Sequence, residues 1–190
     1  YEQVTGAIMP PIFLSSTYIQ ESPGVHTGFE YTRSHNPTRY ALERCIARLE
    51  SSQLTEEQDV SFGGFAFSSG MAAISTTLDL LTSGDHVIAM DDLYGGTNRL
   101  FNHVKRRTSN LQFSFRDLTN LNSLEEAITE KTKLIWIETP TNPMLKLIDL
   151  EGVVSIAQNR GILLACDNTF STPALQRPLE LGFDIVMHSA

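Results

Sequence analysis

Beyond residue 64 the chain alternates short apolar runs with segments of helical period, and this alternation constrains its fold more than any other feature. Runs at 65–67, 86–90, 111–115, 134–138, 162–167 and 185–188 have the length of strands. Helical spacing is predicted near 71–82, 97–107, 121–130, 149–160 and 174–181. Strands and helices alternating over short connections predict an α/β fold: a mostly parallel sheet with helices on both faces. Ligands of such sheets bind where the loops converge beyond the carboxyl ends of the strands. The residues that end each run are therefore the first candidates for chemistry.

The first 36 residues lack periodicity, carry Pro10-Pro11 and Pro23-Gly24, and read as an extended arm that needs another surface to order it. The division expected is an arm over 1–36 and a ligand-binding domain over 37–190. Pro37 suits the first turn of a helix whose apolar stripe is Leu42, Cys45, Ile46 and Leu49. The stretch 51–64 is polar and acidic and reads as a surface loop. With 22 acidic against 14 basic residues the net charge is −8, which disfavours a nucleic-acid partner. No apolar run reaches 18 residues. Two cysteines are too few for a disulfide framework, and Cys45 and Cys166, in helix and strand patterns, are both expected to be buried. His26, His35, His86 and His103 lack metal-ligand spacing. A cytoplasmic protein without a membrane partner is expected. The opening at Tyr1, without Met or a signal sequence, and the close just after a strand read as part of a longer polypeptide.

Several strand ends carry reactive residue types. Ser68-Ser69-Gly70-Met71 leads from a short run into a helix, whose first amides suit a phosphate or carboxylate; a Ser-capped turn is the other reading. Neither a dinucleotide glycine fingerprint nor a nucleotide phosphate loop is present, which counts against NAD and ATP. Asp167 ends a buried apolar run, where a carboxylate calls for a cation such as a protonated pyridine nitrogen, or else caps a turn. Tyr94, beside Gly95 and Gly96, could lie flat on an aromatic ligand or pack under a loop. Asn142 sits in a loop pinned by Pro140 and Pro143 and so could be held against a ligand oxygen. Arg33 could clamp a phosphate, and the Ser189 hydroxyl could donate to the same group.

Taken in order, these motifs closely resemble the Cys/Met-metabolism family of pyridoxal-phosphate enzymes. The resemblance rests on Tyr31-x-Arg33 with Asn36-Pro37-Thr38, Ser69-Gly70-Met71-Ala72 and Asp92-x-Tyr94-Gly95-Gly96-Thr97. It continues through Glu138-Thr139-Pro140-x-Asn142-Pro143, Asp167-Asn168-Thr169-Phe170 and His188-Ser189-Ala190. It runs from about residue 5 to the last residue and corresponds to the family's N-terminal half. The resemblance implies the aspartate aminotransferase-like type I fold and pyridoxal 5'-phosphate as cofactor. It further implies that Ser69, Gly70, Met71 and Ser189 surround the phosphate, that Tyr94 stacks on the ring and moves protons, and that Asp167 pairs with the ring nitrogen. Asn142 would lie near the ring hydroxyl and Arg99 near the substrate entrance. Tyr31 and Arg33 would reach the phosphate of a neighbouring subunit, making a homo-oligomer, a tetramer built as a dimer of dimers. The family's Schiff-base lysine is expected two residues beyond Ala190, since Lys105, Lys131, Lys133 and Lys146 stand in unlike contexts. The implied activity is γ-elimination on cystathionine, the runner-up is γ-replacement on an O-acylhomoserine, and a catalytically inert cofactor-binding half is the remaining alternative.

Overall fold

The structure, a computed structural model, describes residues 4–51 and 63–190. Most of the predicted 51–64 loop therefore lies outside the described residues. The chain divides into two compact units, Tyr1–Ala66 and Phe67–Ala190.

In the first unit a hairpin of β1 (Gln20–Ser22) and β2 (Val25–His26) turns through Pro23-Gly24, where Gly24 has φ 80°. It is followed by α1 (Pro37–Glu50). Asn36 caps this helix, its side chain accepting the N–H groups of Thr38 (2.9 Å) and Arg39 (3.3 Å), and Pro37 occupies the first turn as predicted. The same asparagine donates to the Phe13 carbonyl (3.1 Å), and the Thr38 hydroxyl bridges the Pro11 carbonyl and the Phe13 N–H. These bonds stitch the extended segment to the helix start. The predicted apolar stripe is not the buried one: Leu42, Cys45 and Leu49 are exposed, and the helix buries Tyr40, Ala47 and Glu50. The reason is an offset contact face, on which Phe29 packs against Tyr40 and Glu43 accepts the Ala66 N–H at 2.8 Å. Cys45 is thus exposed, contrary to expectation, whereas Cys166 is fully buried.

The second unit holds a five-stranded parallel sheet in the order β4-β3-β5-β6-β7. Its strands are β3 (His86–Met90), β4 (Gln112–Arg116), β5 (Thr132–Glu138), β6 (Leu163–Asp167) and β7 (Ile185–Met187). The three central strands are buried almost throughout, β3 at every position, as both faces covered by helices require. The covering helices are α2 (Gly70–Leu78), α3 (Gly95–Arg99), which continues through a π-helical turn (Leu100–Lys105) into α4 (Arg106–Thr108), α5 (Leu121–Ala127) and α6 (Leu150–Ala157). The single helix predicted at 174–181 is two, α7 (Thr172–Leu175) and α8 (Pro178–Leu181), because Pro178 cannot continue the first. Residues 65–67 form no strand; Phe65 and Phe67 are exposed and no strand edge lies beside them among the described residues. Among the described residues no helix is long and apolar enough to cross a membrane.

Chain order reverses between β3 and β5, since β4 lies on one side of β3 and β5, β6 and β7 on the other. That reversal opens a crevice at the carboxyl ends of the strands. Beneath it the core is anchored by Phe101, stacked on Phe113 at 4.9 Å and edge-on to Trp136 at 5.9 Å. Phe101→Ala in the full-length protein should cost about 3–5 kcal/mol, the usual cost of deleting a buried ring, read as a lowered urea midpoint.

Candidate active site

The parallel register sets the site. Glu138, the last residue of β5, is the neighbour of Asp167 at the end of β6, and Asp167 is the neighbour of Met187 on β7. A cavity of about 390 Å³ opens over these ends, within the range of small-molecule sites. Its lining includes Ser69, Gly70, Met71, Tyr94, Glu138, Asn142, Asp167 and Ser189. Seven of these were singled out in the sequence, from five separate stretches of the chain.

At one end of the cavity α2 begins. Ser69 caps it, the hydroxyl accepting the Ala72 N–H at 3.2 Å, so the plain capped-turn reading of this segment holds as well. The N–H groups of Gly70 and Met71 stand in the first turn, where no intrahelical acceptor exists. Gly70 is required by close approach: a Cβ there would lie 2.9 Å from the Ser189 Cβ and 3.0 Å from its hydroxyl oxygen. Two amides at a positive helix end with a serine hydroxyl against them suit a phosphate ester.

The other end is acidic. Asp167, buried, accepts the Thr169 hydroxyl (2.6 Å) and N–H (3.1 Å) on Oδ1, and the Thr169 hydroxyl oxygen in turn accepts the Ser189 N–H (3.0 Å). Burial pushes the Asp167 carboxyl up from its ordinary value, against the bonds from Thr169 and the charge of His188. Glu138, also buried, accepts the Tyr94 N–H on Oε2 and the Asn142 N–H on Oε1, each at 2.9 Å. Burial first, then the charges of Asp167 and Asp92, push it up to about 7. Among the described residues no lysine or arginine lines the cavity. The pair of carboxyls therefore calls for a cationic ligand group.

Between these ends lies Tyr94, half exposed, with its ring over Gly96: a Cβ on Gly96 would stand 2.5 Å from Tyr94 Cε1 and 2.9 Å from the Met71 sulfur. The Asn142 loop carries cis bonds at Thr139-Pro140 and Asn142-Pro143. It is tied to the loop after β3 by Asp92, which accepts the Thr141 hydroxyl and the Met144 N–H (2.9 Å). Lys146 adds ion pairs to Asp91 (3.0 Å) and Asp117 (3.1 Å). Arg99 is exposed at the end of α3 and does not line the cavity. Tyr31 and Arg33 belong to the first unit, where the guanidinium lies over the tyrosine ring at 5.2 Å. Glu138 received no role from the sequence, although an acid closing an apolar run was the signal that singled out Asp167. Among the described residues no cluster of His, Cys, Asp and Glu is arranged to hold a metal ion.

Residues 1–190 match the family model described as Cys/Met metabolism PLP-dependent enzyme. The chain belongs to that family. Among its relatives is a cystathionine beta-lyase of Coxiella burnetii, 56% identical over 189 residues, covering all of this chain and 46% of the relative. Another is a cystathionine gamma-lyase of Homo sapiens, 50% identical, covering 97% of this chain and 43% of the relative. The crystal structure of cystathionine gamma-lyase from Lactobacillus plantarum complexed with L-serine superposes with a TM-score of 0.87 at 43% identity, covering 97% of this chain and 45% of that one. The chain thus spans about half the length of the Cys/Met metabolism enzymes it matches. The likeness also bears out the expected type I fold. The family's cofactor is pyridoxal 5'-phosphate, and the site fits it: helix-end amides beside Ser189 for a phosphate ester, and a buried carboxyl pair for a ring cation.

Two outcomes test this geometry. Gly96→Ala should displace the Tyr94 ring and weaken cofactor binding by about tenfold, on the scale of a small misplacement in a tight site, measured by cofactor titration of the full-length protein. For Asp167, a carboxyl raised in the folded state contributes stability present below its unfolded value and lost as pH rises through the folded one. Asp167→Asn should remove that loss, so that the cofactor-free variant melts above wild type at pH 8 but not at pH 4.

Proposed function

We propose that the whole protein is a pyridoxal-phosphate enzyme that breaks the carbon–sulfur bond of cystathionine by γ-elimination, giving cysteine, 2-oxobutanoate and ammonia with one water consumed. The observation that supports this reading is one cavity lined by Gly70 and Met71 at a helix start beside Ser189 and by the buried carboxyl of Asp167. The cofactor supplies a cationic ring that takes up the electron pair left when the substrate Cα–H bond breaks. Gly70 and Met71 donate backbone N–H groups to its phosphate, and Ser69 and Ser189 complete that seat. Asp167 keeps the ring nitrogen protonated. Tyr94 stacks on the ring and moves protons at its phenol oxygen. Asn142 orients the ring hydroxyl, and Arg99 stands at the substrate entrance. None of the four lysines lines the cavity, so the anchoring lysine belongs to the remainder of the protein.

Tyr31 and Arg33, exposed on the first unit, reach the phosphate of a neighbouring subunit, so the active form is a homo-oligomer, a dimer of dimers. The arm over 1–36 makes that contact, and 37–190 is the cofactor domain. The enzyme works in the cytoplasm on a small amino-acid substrate.

Relatives named cystathionine gamma-lyase from Dictyostelium discoideum, Bacillus subtilis and human support γ-elimination. A second reading, γ-replacement on an O-acylhomoserine by cysteine, is favoured by the relative named probable cystathionine gamma-synthase in Herpetosiphon aurantiacus, 45% identical. Full-length enzyme given cystathionine should release 2-oxobutanoate. Pyruvate as the main keto acid would move the cleavage to the β-carbon, and faster synthesis of cystathionine from O-acylhomoserine and cysteine than its breakdown would overturn the lyase reading. Asp167→Ala should fold and lose at least about 100-fold in turnover, the scale of losing one electrostatic stabiliser; a fully active variant would remove Asp167 from the site.

A further inference from the structure

We propose that Glu138 is a positioning residue that ties occupancy of the cation seat at Asp167 to the placement of Tyr94 and Asn142. The two oxygens of one carboxylate hold two backbone N–H groups from different loops, Tyr94 after β3 and Asn142 after β5. Both of those residues line the cavity, as Glu138 itself does. An ionised carboxylate accepts both bonds. A protonated one keeps a single good acceptor, so one loop loses its hold. Burying a charge there without a cation is costly, and the neighbour in register is a second carboxyl.

The charged groups facing Glu138 are Asp167 on β6 and Asp92 in the loop after β3, while His188 after β7 acts on Asp167. Its backbone donors favour the ionised form, and burial together with the two aspartates opposes it. Without a cation at Asp167, Glu138 therefore shares its proton with solvent near neutrality and the clamp is half made. A cation at Asp167 cancels the repulsion, Glu138 releases its proton, and both N–H groups are held. Ligand binding and proton release are then linked, so affinity falls as pH drops through the range in which the empty site takes up the proton.

This inference rests on the proposed seating of the ring nitrogen at Asp167, and the test separates the two. Full-length protein stripped of cofactor is titrated with pyridoxal 5'-phosphate from pH 8 to pH 6, following the cofactor absorbance, as wild type, Glu138→Gln, Glu138→Asp and Asp167→Asn. Glu138→Gln should bind more weakly at pH 8. The ratio of its dissociation constant to that of wild type, in which the cofactor's own protonation cancels, should shrink by about fivefold to tenfold at pH 6, as a carboxyl pKa lowered by about one to two units requires. A ratio independent of pH overturns the proposal. If Glu138→Gln does not fold, Glu138→Asp decides: its shorter carboxylate cannot span both N–H groups, so it should bind more weakly at pH 8 and keep the pH dependence. Wild-type affinity in that variant overturns the proposal. Asp167→Asn binding as wild type does would sink the cation seat and the functional reading with it. Weakened Asp167→Asn beside wild-type behaviour in Glu138→Gln would sink the role of Glu138 alone.

Discussion

The parallel register between β5 and β6 is the constraint on which the site depends. Because the ladder pairs Glu138 with Asp167, two carboxyls share one buried end of the sheet, and one step further the register brings Met187, and with it Ser189, alongside. Backbone hydrogen bonds between apolar strands enforce this placement, although the carboxyls themselves gain nothing from it: burial raises both toward their neutral forms. The sheet interior, built from fully buried residues such as Val87, Ile135, Trp136 and Cys166, stabilises the fold enough to hold this unfavourable local arrangement.

Much of this was legible in the sequence, and the reasons differ by residue. Five of the six apolar runs became the five strands of the sheet within a residue or two, because both faces are covered and a fully buried strand must be apolar throughout. Asp167, Asn142 and Ser189 were found because a polar residue just after such a run has to sit at the rim. Glu138 was equally visible by that logic, but its motif drew attention to the prolines and the asparagine. What the sequence could not supply was partnership. The stripe Leu42, Cys45, Ile46, Leu49 identified α1 as a helix, yet the face it buries among the described residues is the one carrying Tyr40, Ala47 and Glu50. Periodicity reports that a face is apolar and is silent on which surface will cover it. The run at 65–67 failed likewise, since three apolar residues do not reveal whether a strand edge is available.

The loops around the cavity are held mainly by bonds from acidic side chains to backbone and to neighbouring loops. Asp92 takes a hydroxyl and an N–H from the loop after β5, Lys146 joins that loop to Asp91 and Asp117, and Glu138 grips two N–H groups at once. Such bonds leave the outward side chains of Tyr94 and Asn142 available for ligand while fixing the backbone beneath them. The connections at the other end of the sheet are tied as well: Asp85 accepts the Thr82 N–H (2.8 Å) and hydroxyl (3.0 Å), Asn110 donates to the Ser83 hydroxyl (2.9 Å), and Asp184 accepts the Leu164 N–H (2.8 Å). His86, near that end, is buried between the Thr132 and Ser114 hydroxyls and is held toward its neutral form by burial and Arg116, a purely structural use of a histidine.

The contact between Gly70 and Ser189 has a consequence for how the protein is made. One partner opens α2 and the other follows β7, so all five strands of the described sheet lie between them along the chain. Closing so long a loop is among the slower events in assembling a parallel sheet. This contact therefore closes only once the strands between its two partners have paired, which makes it a late event in assembling the described sheet.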